Sequence, residues 1–167
     1  MFKKVLLGLL ILFVLIQFYR PKRNIAAQPQ PEDITNAYAV PAQVNNILER
    51  SCYDCHSNNT HYPWYAEVQP VRWWLDDHVE EGKRELNFNA FKSYAPRRQY
   101  IKLEETIELV KEGEMPLSSY TLIHSDAKLN DAEKQTLYKW AQSIRDTMKA
   151  TYPPDSLARK KRPQPAA

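Results

Sequence analysis

The chain has 167 residues, of which 43% are hydrophobic, 26% are charged and only 3 are glycine, a composition that excludes a collagen-like or wholly disordered protein. Its length suits one domain of ordinary size and excludes a multidomain enzyme. The net charge of +3 comes from the ends, because residues 1–23 carry five Lys/Arg and residues 159–162 carry four, which leaves 14 Lys/Arg against 20 Asp/Glu. We expect no nucleic-acid partner, since phosphate contacts need clustered cations.

The N-terminal segment is predicted to be a membrane anchor. Two lysines precede an apolar run over residues 5–19 that is interrupted by Gln17. As a helix this run would rise roughly 22 Å, less than a hydrocarbon core of about 30 Å, a length that also suits a cleaved signal peptide. The nearest small-residue pair starts only at Ala26, far behind the run. We therefore favour an uncleaved signal anchor or transmembrane helix over residues 1–20, with cleavage as the alternative.

Proline-rich flanks delimit the rest of the chain. Residues 21–34 are predicted to form an extended linker, residues 35–152 the folded domain and residues 153–167 a basic, proline-rich tail. The linker is expected to let the domain swing.

Helical periodicity predicts four helices in the domain and no strand, so the expected fold class is all-α. The first helix has Pro41 at its first position and runs into Cys52, the second starts after Pro70 and ends near Gly82, and Gly113 stops the third. The fourth begins at a capping box that starts with Asn130. The apolar stripes of these helices are Val44, Ile47 and Leu48; Val71, Trp74, Leu75, His78 and Val79; Tyr100, Leu103, Ile107 and Val110; and Leu137, Trp140, Ala141, Ile144 and Met148.

The two cysteines, Cys52 and Cys55, form a C-x-x-C-H motif with His56. This pattern is typical of covalent c-type haem attachment, because each thiol can reach one vinyl group of the porphyrin and the histidine then lies beneath the iron. Three alternatives stay open: a zinc site that includes His61 or His78, a thioredoxin-like dithiol, and a disulfide of an exported protein. We prefer the haem interpretation, because a zinc site lacks the usual second ligand pair, a thioredoxin-like dithiol lacks its βαβ context, and a disulfide leaves His56 unexplained.

A six-coordinate haem needs a second axial ligand. Met115 is the first choice, because it lies in a Gly-Glu-Met-Pro loop directly after a predicted helix end. His78 is the alternative, on the apolar face of the second helix. His61 and His124 lie in polar loop sequence, and Met148 belongs to a core stripe.

The order of these features resembles a class I cytochrome c. More closely, the stretches SCYDCHSNNTHYPWY, WWLDDHVEEGKRELNF and GEMPLSSYTLIHSDAKL resemble a bacterial family of small membrane-anchored haem-binding domain proteins of the Bacteroidetes type. The resemblance covers residues 35–150 and implies a cytochrome c-like helical domain outside the cytoplasm. It implies one haem c on Cys52 and Cys55, with His56 as the proximal iron ligand.

The segment 58–96 is longer than the corresponding connection in a minimal cytochrome c and contains three tryptophans. They are interpreted as core packed against the porphyrin, or as a surface platform around Trp64 that docks a redox partner. Candidate partners of the haem propionates on the second helix are Arg72, Lys83 and Arg84. Acids expected on the solvated side of that helix are Asp76, Asp77, Glu80 and Glu81.

The sequence therefore predicts a membrane-anchored monohaem protein that passes single electrons between redox partners of the periplasm or membrane. Thioether formation needs reduced thiols and machinery beyond the cytoplasmic membrane, so we expect a single-pass inner-membrane protein with a periplasmic C-terminal domain. The alternatives are a haem-based gas sensor or a peroxidase-like enzyme with an open sixth position, the latter aided by His78 or His124. No catalytic side chain of another kind is predicted.

Overall fold

A computed structural model of the protein describes residues 1–159. In that range the regular structure is helical, apart from an isolated antiparallel bridge between Ile25 and Asn59, which confirms the all-α prediction. The α-helices of this part of the chain are α1 (Phe2–Ile16), α2 (Ala42–Ser51), α3 (Tyr53–His56), α4 (Val71–Glu85), α5 (Pro96–Glu112), α6 (Ser118–Ile123), α7 (Asp131–Thr151) and α8 (Pro154–Leu157). Short 3₁₀ helices lie at Ile34–Asn36, Trp64–Glu67, Phe88–Ser93 and Ser125–Ala127.

The chain divides into two compact units. The α4 unit comprises residues 1–29 and 53–87, and the α7 unit comprises residues 30–52 and the chain from residue 88 onward. The limits of these units do not coincide with the predicted domain boundaries after residues 20, 34 and 152. Those boundaries stay sequence predictions.

The α7 unit has an apolar core of the predicted kind. Helix α7 packs against α2 and α5, and α8 packs against α5. The stripe of α7 is buried along its whole length, from Leu137 at 0% exposure to Met148 at 2%, which confirms Met148 as a packing residue. The Trp140 indole N–H donates to the Ala39 carbonyl at 3.1 Å. Burial of this stripe removes apolar surface from water and so stabilises the unit.

The predicted ends of two helices in the α7 unit are confirmed. Gly113 closes α5 with a φ of +80°, a left-handed conformation that glycine adopts without a steric cost. At the start of α7 the Asn130 side chain accepts from the Glu133 N–H, and the Glu133 carboxylate accepts from the Asn130 N–H, each at 2.9 Å. This is the reciprocal capping box.

The predicted apolar stripe of α4 is confirmed at Val79, which is buried, and wrong at Val71 and Trp74. These two residues are 38% and 47% exposed, and the helix buries Arg72 and Asp76 together with Val79. Burial of the two charged groups is possible because Arg72 Nε donates to Asp76 Oδ2 at 2.6 Å. The expectation that Asp76 lies on a solvated face is therefore also wrong.

The N-terminal helix is present as α1, and its apolar side chains are exposed. Among the helices of residues 1–159, we find none with the length and apolar character that crossing a membrane requires. The structure thus supports a helix in this segment and leaves its membrane-spanning character without support.

Part of the predicted linker is docked on the α4 unit. The Asn24 carbonyl accepts from the Thr60 N–H at 2.9 Å, and the Asn24 amide donates to the Ser57 carbonyl at 2.9 Å. The Ala26 N–H donates to the Asn58 carbonyl at 3.0 Å. Residues 24–26 therefore do not form a free tether, contrary to the expectation of a swinging domain.

The predicted basic tail begins inside the α7 unit. Leu157 of α8 is 4% exposed, and Arg159 pairs with Glu104 and Glu105 of α5 at 3.4 and 3.0 Å. The remaining residues of the predicted tail, 160–167, lie outside the described residues.

Candidate haem-binding site

The C-x-x-C-H motif lies where one helix ends and the next begins. Cys52 is the C-terminal cap of α2, and its N–H donates to the Leu48 carbonyl at 2.9 Å. The single helical turn of α3 follows at once and carries Cys55 and His56. Both cysteines are half-buried thiols outside any disulfide, so the structure does not support the disulfide alternative. Haem attachment requires thiols of this kind.

The His56 ring is held by two backbone carbonyls. Its Nδ1 lies 2.9 Å from the Gly82 carbonyl oxygen and 2.9 Å from that of Leu86. Because a carbonyl oxygen can only accept, Nδ1 carries the proton, and the lone pair of the neutral imidazole is on Nε2. A metal-ligating histidine is ordinarily oriented in this way by a bond from its other ring nitrogen. The residues at the motif therefore fit a proximal ligand of haem iron.

Gly82 brings α4 close to the motif. A Cβ at this position would lie 2.7 Å from the Cys55 carbonyl oxygen, so only glycine permits the observed approach. The helix continues through Gly82 to Glu85, which makes the predicted helix end near Gly82 wrong. Gly82 and Leu86 are the site residues that the sequence analysis missed. The available signal was a lone glycine inside an amphipathic helical pattern, a position that usually has a packing or functional reason.

The thiol of Cys55 is protonated at neutral pH. Burial, with a smaller contribution from the nearby Asp54 carboxylate, raises its pKa to about 11. Asp54 also organises the loop after the motif, since its carbonyl accepts from the Thr60 hydroxyl at 2.6 Å and its carboxylate from the His61 N–H at 2.9 Å. These bonds close residues 57–61 around α3.

The candidate second ligands lie in different units. Met115 belongs to the α7 unit, is half-buried, and is positioned by its N–H, which donates to the Leu109 carbonyl at 3.1 Å. His78 belongs to the α4 unit, where its Nδ1 donates to the Trp74 carbonyl at 2.8 Å. The predicted position of Met115 directly after a helix end is confirmed. The role of either residue as an iron ligand stays a prediction.

The other two histidines also have defined surroundings. His61 is exposed, and His124 stacks on Tyr120 with ring centroids 4.5 Å apart. Within residues 1–159 no three His, Cys, Asp or Glu side chains gather in a cluster that could hold a metal ion. The zinc alternative therefore has no support from the geometry.

The candidate propionate partners differ in what they contact. The Arg72 guanidinium lies 4.4 Å from the Tyr62 ring centre in addition to its ion pair with Asp76, so it is poorly suited to a propionate. Lys83 donates to the Asn24 side-chain oxygen at 2.5 Å, and burial lowers its pKa. Arg84 is 70% exposed. For Lys83 and Arg84 the propionate role stays a prediction.

The comparison with curated proteins and the comparison with solved structures both gave no match. A family model described as a haem-binding domain matches residues 11–143, a range that contains the whole C-x-x-C-H motif as well as His78 and Met115. The finer resemblances to class I cytochromes c and to proteins of the Bacteroidetes type stay sequence predictions. Because the matched range is most of the chain, the protein belongs to the haem-binding domain family.

Proposed function

We propose that the protein is a c-type monohaem electron carrier, with one haem held covalently by Cys52 and Cys55 and with His56 as the proximal iron ligand. The observation that carries the proposal is the His56 ring, whose Nδ1–H lies between the carbonyls of Gly82 and Leu86. This contact leaves the lone pair on Nε2 as the position from which the ring could ligate iron.

When bound, haem supplies one-electron redox chemistry. The two carbonyls orient the His56 imidazole by accepting a hydrogen bond from its Nδ1–H. This hydrogen bond also raises the basicity of Nε2. Met115 is the proposed second ligand, with His78 as the alternative. A thioether in that position raises the reduction potential relative to a second imidazole.

We further propose that α1 anchors the protein at the inner membrane and that the haem domain is periplasmic. The apolar side chains of α1 are exposed along its length, for example Leu6 at 50% and Leu15 at 60%. The thiols that c-type haem requires would meet their attachment machinery outside the cytoplasm. The proposed partners are redox proteins of the periplasm or membrane.

Covalent attachment can be tested on the full chain, produced with its own N-terminus in a host that matures c-type cytochromes. After denaturation we expect haem to stay on the polypeptide, as shown by haem staining of a denaturing gel and by the pyridine haemochrome spectrum. The Cys52→Ser/Cys55→Ser double variant should lose this haem, and the matched control His61→Ala should retain it. A folded product that never carries covalent haem would overturn the proposal.

Carbon monoxide distinguishes the electron carrier from its alternatives. A carrier with two firm axial ligands should not bind carbon monoxide rapidly when reduced. Rapid binding would instead favour the gas sensor or the peroxidase-like enzyme. Met115→Ala should abolish the low-spin spectrum, whereas Met148→Leu in the core should preserve it. An unchanged low-spin spectrum in Met115→Ala would exclude Met115 and make His78→Ala the next variant.

A further inference from the structure

The end of α1 is joined to the start of α4 by a reciprocal pair of glutamines. Gln17 Nε2 donates to the Gln69 carbonyl at 3.2 Å, and the Gln69 N–H donates to Gln17 Oε1 at 2.9 Å. Gln69 is 1% exposed, and its own side chain donates to the Tyr19 carbonyl at 3.0 Å. Gln17 is the residue that interrupts the apolar run of α1, so this interruption has a structural role.

Further bonds stiffen this joint. The Trp73 indole N–H donates to the Tyr19 carbonyl at 3.1 Å, and the two rings lie 5.8 Å apart. Arg20 pairs with Glu67 at 2.9 Å, and Arg72 donates to the Pro21 carbonyl at 3.2 Å. With hydrogen bonds on both sides of residue 20, the segment after α1 cannot rotate freely against α4.

Exposed apolar side chains occur in the segments that form the joint, which are the end of α1 and residues 64–71. Trp64 is 81% exposed, Phe18 80%, Val71 38% and Val68 37%. Val68 directly precedes Gln69, and Val71 follows it by two residues, so both lie beside the contact with α1. We call these four residues the joint face. An exposed apolar patch of this kind commonly marks an interaction site.

The features of α1 indicate a lipid surface as the partner of this face. The helix has 15 residues and rises about 22 Å, so a bilayer core of about 30 Å would draw its flanking residues toward the lipid–water interface. Tryptophan and other aromatic residues favour that depth. Three cations, Arg20, Lys22 and Arg23, follow α1 directly, with no acid among residues 1–31, and this basic segment favours anionic headgroups.

The family match gives an independent argument that the joint belongs to the domain. The matched range begins at residue 11, inside α1, and therefore includes Gln17 and the rest of the joint. A tether whose sequence did not matter would not be expected within the range that defines the family.

We propose that the joint face lies in the headgroup region of the anionic bilayer that α1 enters, so that the α4 unit is held in one orientation to the membrane. This inference rests on the proposed membrane anchoring. It replaces the swinging tether of the sequence analysis with a rigid one.

The test uses nitroxide labels on single introduced cysteines in the full, haem-loaded chain. If the native thiols remain reactive, the same labels are placed in the Cys52→Ser/Cys55→Ser background. Trp64→Cys and Val68→Cys report on the joint face, Leu10→Cys reports on α1, and Glu81→Cys is the matched control on the exposed side of α4. Proteins are reconstituted in vesicles of phosphatidylethanolamine and phosphatidylglycerol, and accessibility to oxygen and to a water-soluble nickel chelate is measured by electron paramagnetic resonance.

We expect the labels at positions 10, 64 and 68 to favour oxygen severalfold over the control at position 81. A lipid-exposed label at position 10 with water-exposed labels at 64 and 68 would refute the proposed lipid contact of the joint face. The proposed anchoring by α1 would then still hold. A water-exposed label at position 10 would overturn the anchor and the inference with it. Equal lipid contact at position 81 would also overturn the inference, because the contact would then not be specific to one face.

The Gln17→Leu variant tests the joint itself. It removes the reciprocal bonds to Gln69 while making α1 more apolar, so the label at position 10 should stay in lipid. We expect the label at position 68 to lose most of its preference for oxygen. An unchanged preference would show that the glutamine pair does not orient the unit.

Discussion

The interiors of the two units are stabilised by different physical interactions. Of the 18 buried hydrophobic residues in the described part of the chain, 16 belong to the α7 unit, and only Ala66 and Val79 belong to the α4 unit. Six of the nine buried polar or charged residues lie in the α4 unit. One unit therefore has an ordinary apolar core, and the other is built around hydrogen bonds and an ion pair.

This difference has a functional consequence. A hydrogen-bonded unit with little apolar core gains modest net stability from each bond, because each protein bond replaces a bond to water. A haem bound at His56 would add a large apolar surface to the unit that has the least of its own. The stability of the α7 unit should in contrast depend less on the cofactor, because that unit has an apolar core of its own.

Of the variants that test this difference between the units, the largest loss of stability is expected from one in the core of the α7 unit. Trp140→Ala removes a side chain that is 5% exposed and should lower the free energy of unfolding by about 4 kcal/mol. Urea unfolding followed by far-ultraviolet circular dichroism measures this change. Leu122→Ala, at a position 84% exposed, is the control and should change stability by less than about 0.5 kcal/mol. Similar small losses in both variants would contradict an apolar core.

The next effect concerns the ion pair of the α4 unit. Asp76→Ala removes the carboxylate that neutralises the buried Arg72 guanidinium and should cost about 3 kcal/mol, measured by hydrogen exchange of the α4 amides. The Arg72→Leu/Asp76→Leu double variant should recover most of this loss, because no charge is then buried. Asp77→Ala is the exposed control. If Asp76→Ala were as mild as Asp77→Ala, the polar core of this unit would be refuted.

A smaller effect is expected at the contact between α3 and α4. Gly82→Ala would bring a methyl group to 2.7 Å from the Cys55 carbonyl oxygen and should cost about 2 kcal/mol. The displacement should also alter the visible spectrum of the haem-loaded protein, since Gly82 holds His56. Gly8→Ala is the control, because an added Cβ there meets no atom within 4 Å. An unchanged spectrum in Gly82→Ala would argue against the proposed orientation of His56.

The smallest effect is a pH dependence in the α7 unit. A hydrogen bond from Arg50, together with the one from the Asn130 backbone, holds the pKa of Glu133 below its usual value. The stabilisation is therefore complete above the ordinary glutamate pKa of about 4.3 and is lost as the pH falls through the lowered pKa. Glu133→Gln should cost less than about 1 kcal/mol at neutral pH, and the difference from the unchanged protein should vanish in acid. Urea midpoints across this range measure the effect, with Glu108→Gln as the exposed control. A difference that persists at low pH would rule out the ionic contribution.

The sequence analysis succeeded most fully in the α7 unit. There the apolar stripe from Leu137 to Met148, the capping box at Asn130 and the stop at Gly113 are local patterns whose physical meaning does not depend on distant residues. A helix with one continuous apolar face buries that face in most contexts, and a glycine after a helix commonly takes the left-handed cap.

The same reasoning failed for α4. Its apolar residues suggested a buried stripe through Val71 and Trp74, yet the helix buries Arg72 and Asp76. The i, i+4 spacing of this pair is visible in the sequence, but two further groups that contact Arg72, the Tyr62 ring and the Pro21 carbonyl, lie outside α4. The helical periodicity of apolar residues gives no information about such contacts.

For this protein the sequence by itself identified the candidate haem-binding residues, because the C-x-x-C-H spacing of Cys52, Cys55 and His56 is fixed by the order of the chain. It also determined the all-α class and the packing of α7, which follow from local periodicity. Tertiary structure alone decided how His56 is oriented and how α1 joins α4. The acceptors of the His56 proton lie 26 and 30 residues along the chain, and Gln17 meets Gln69 across 52 residues. Hydrogen bonds between residues so far apart depend on the relative placement of whole helices, which no local pattern encodes.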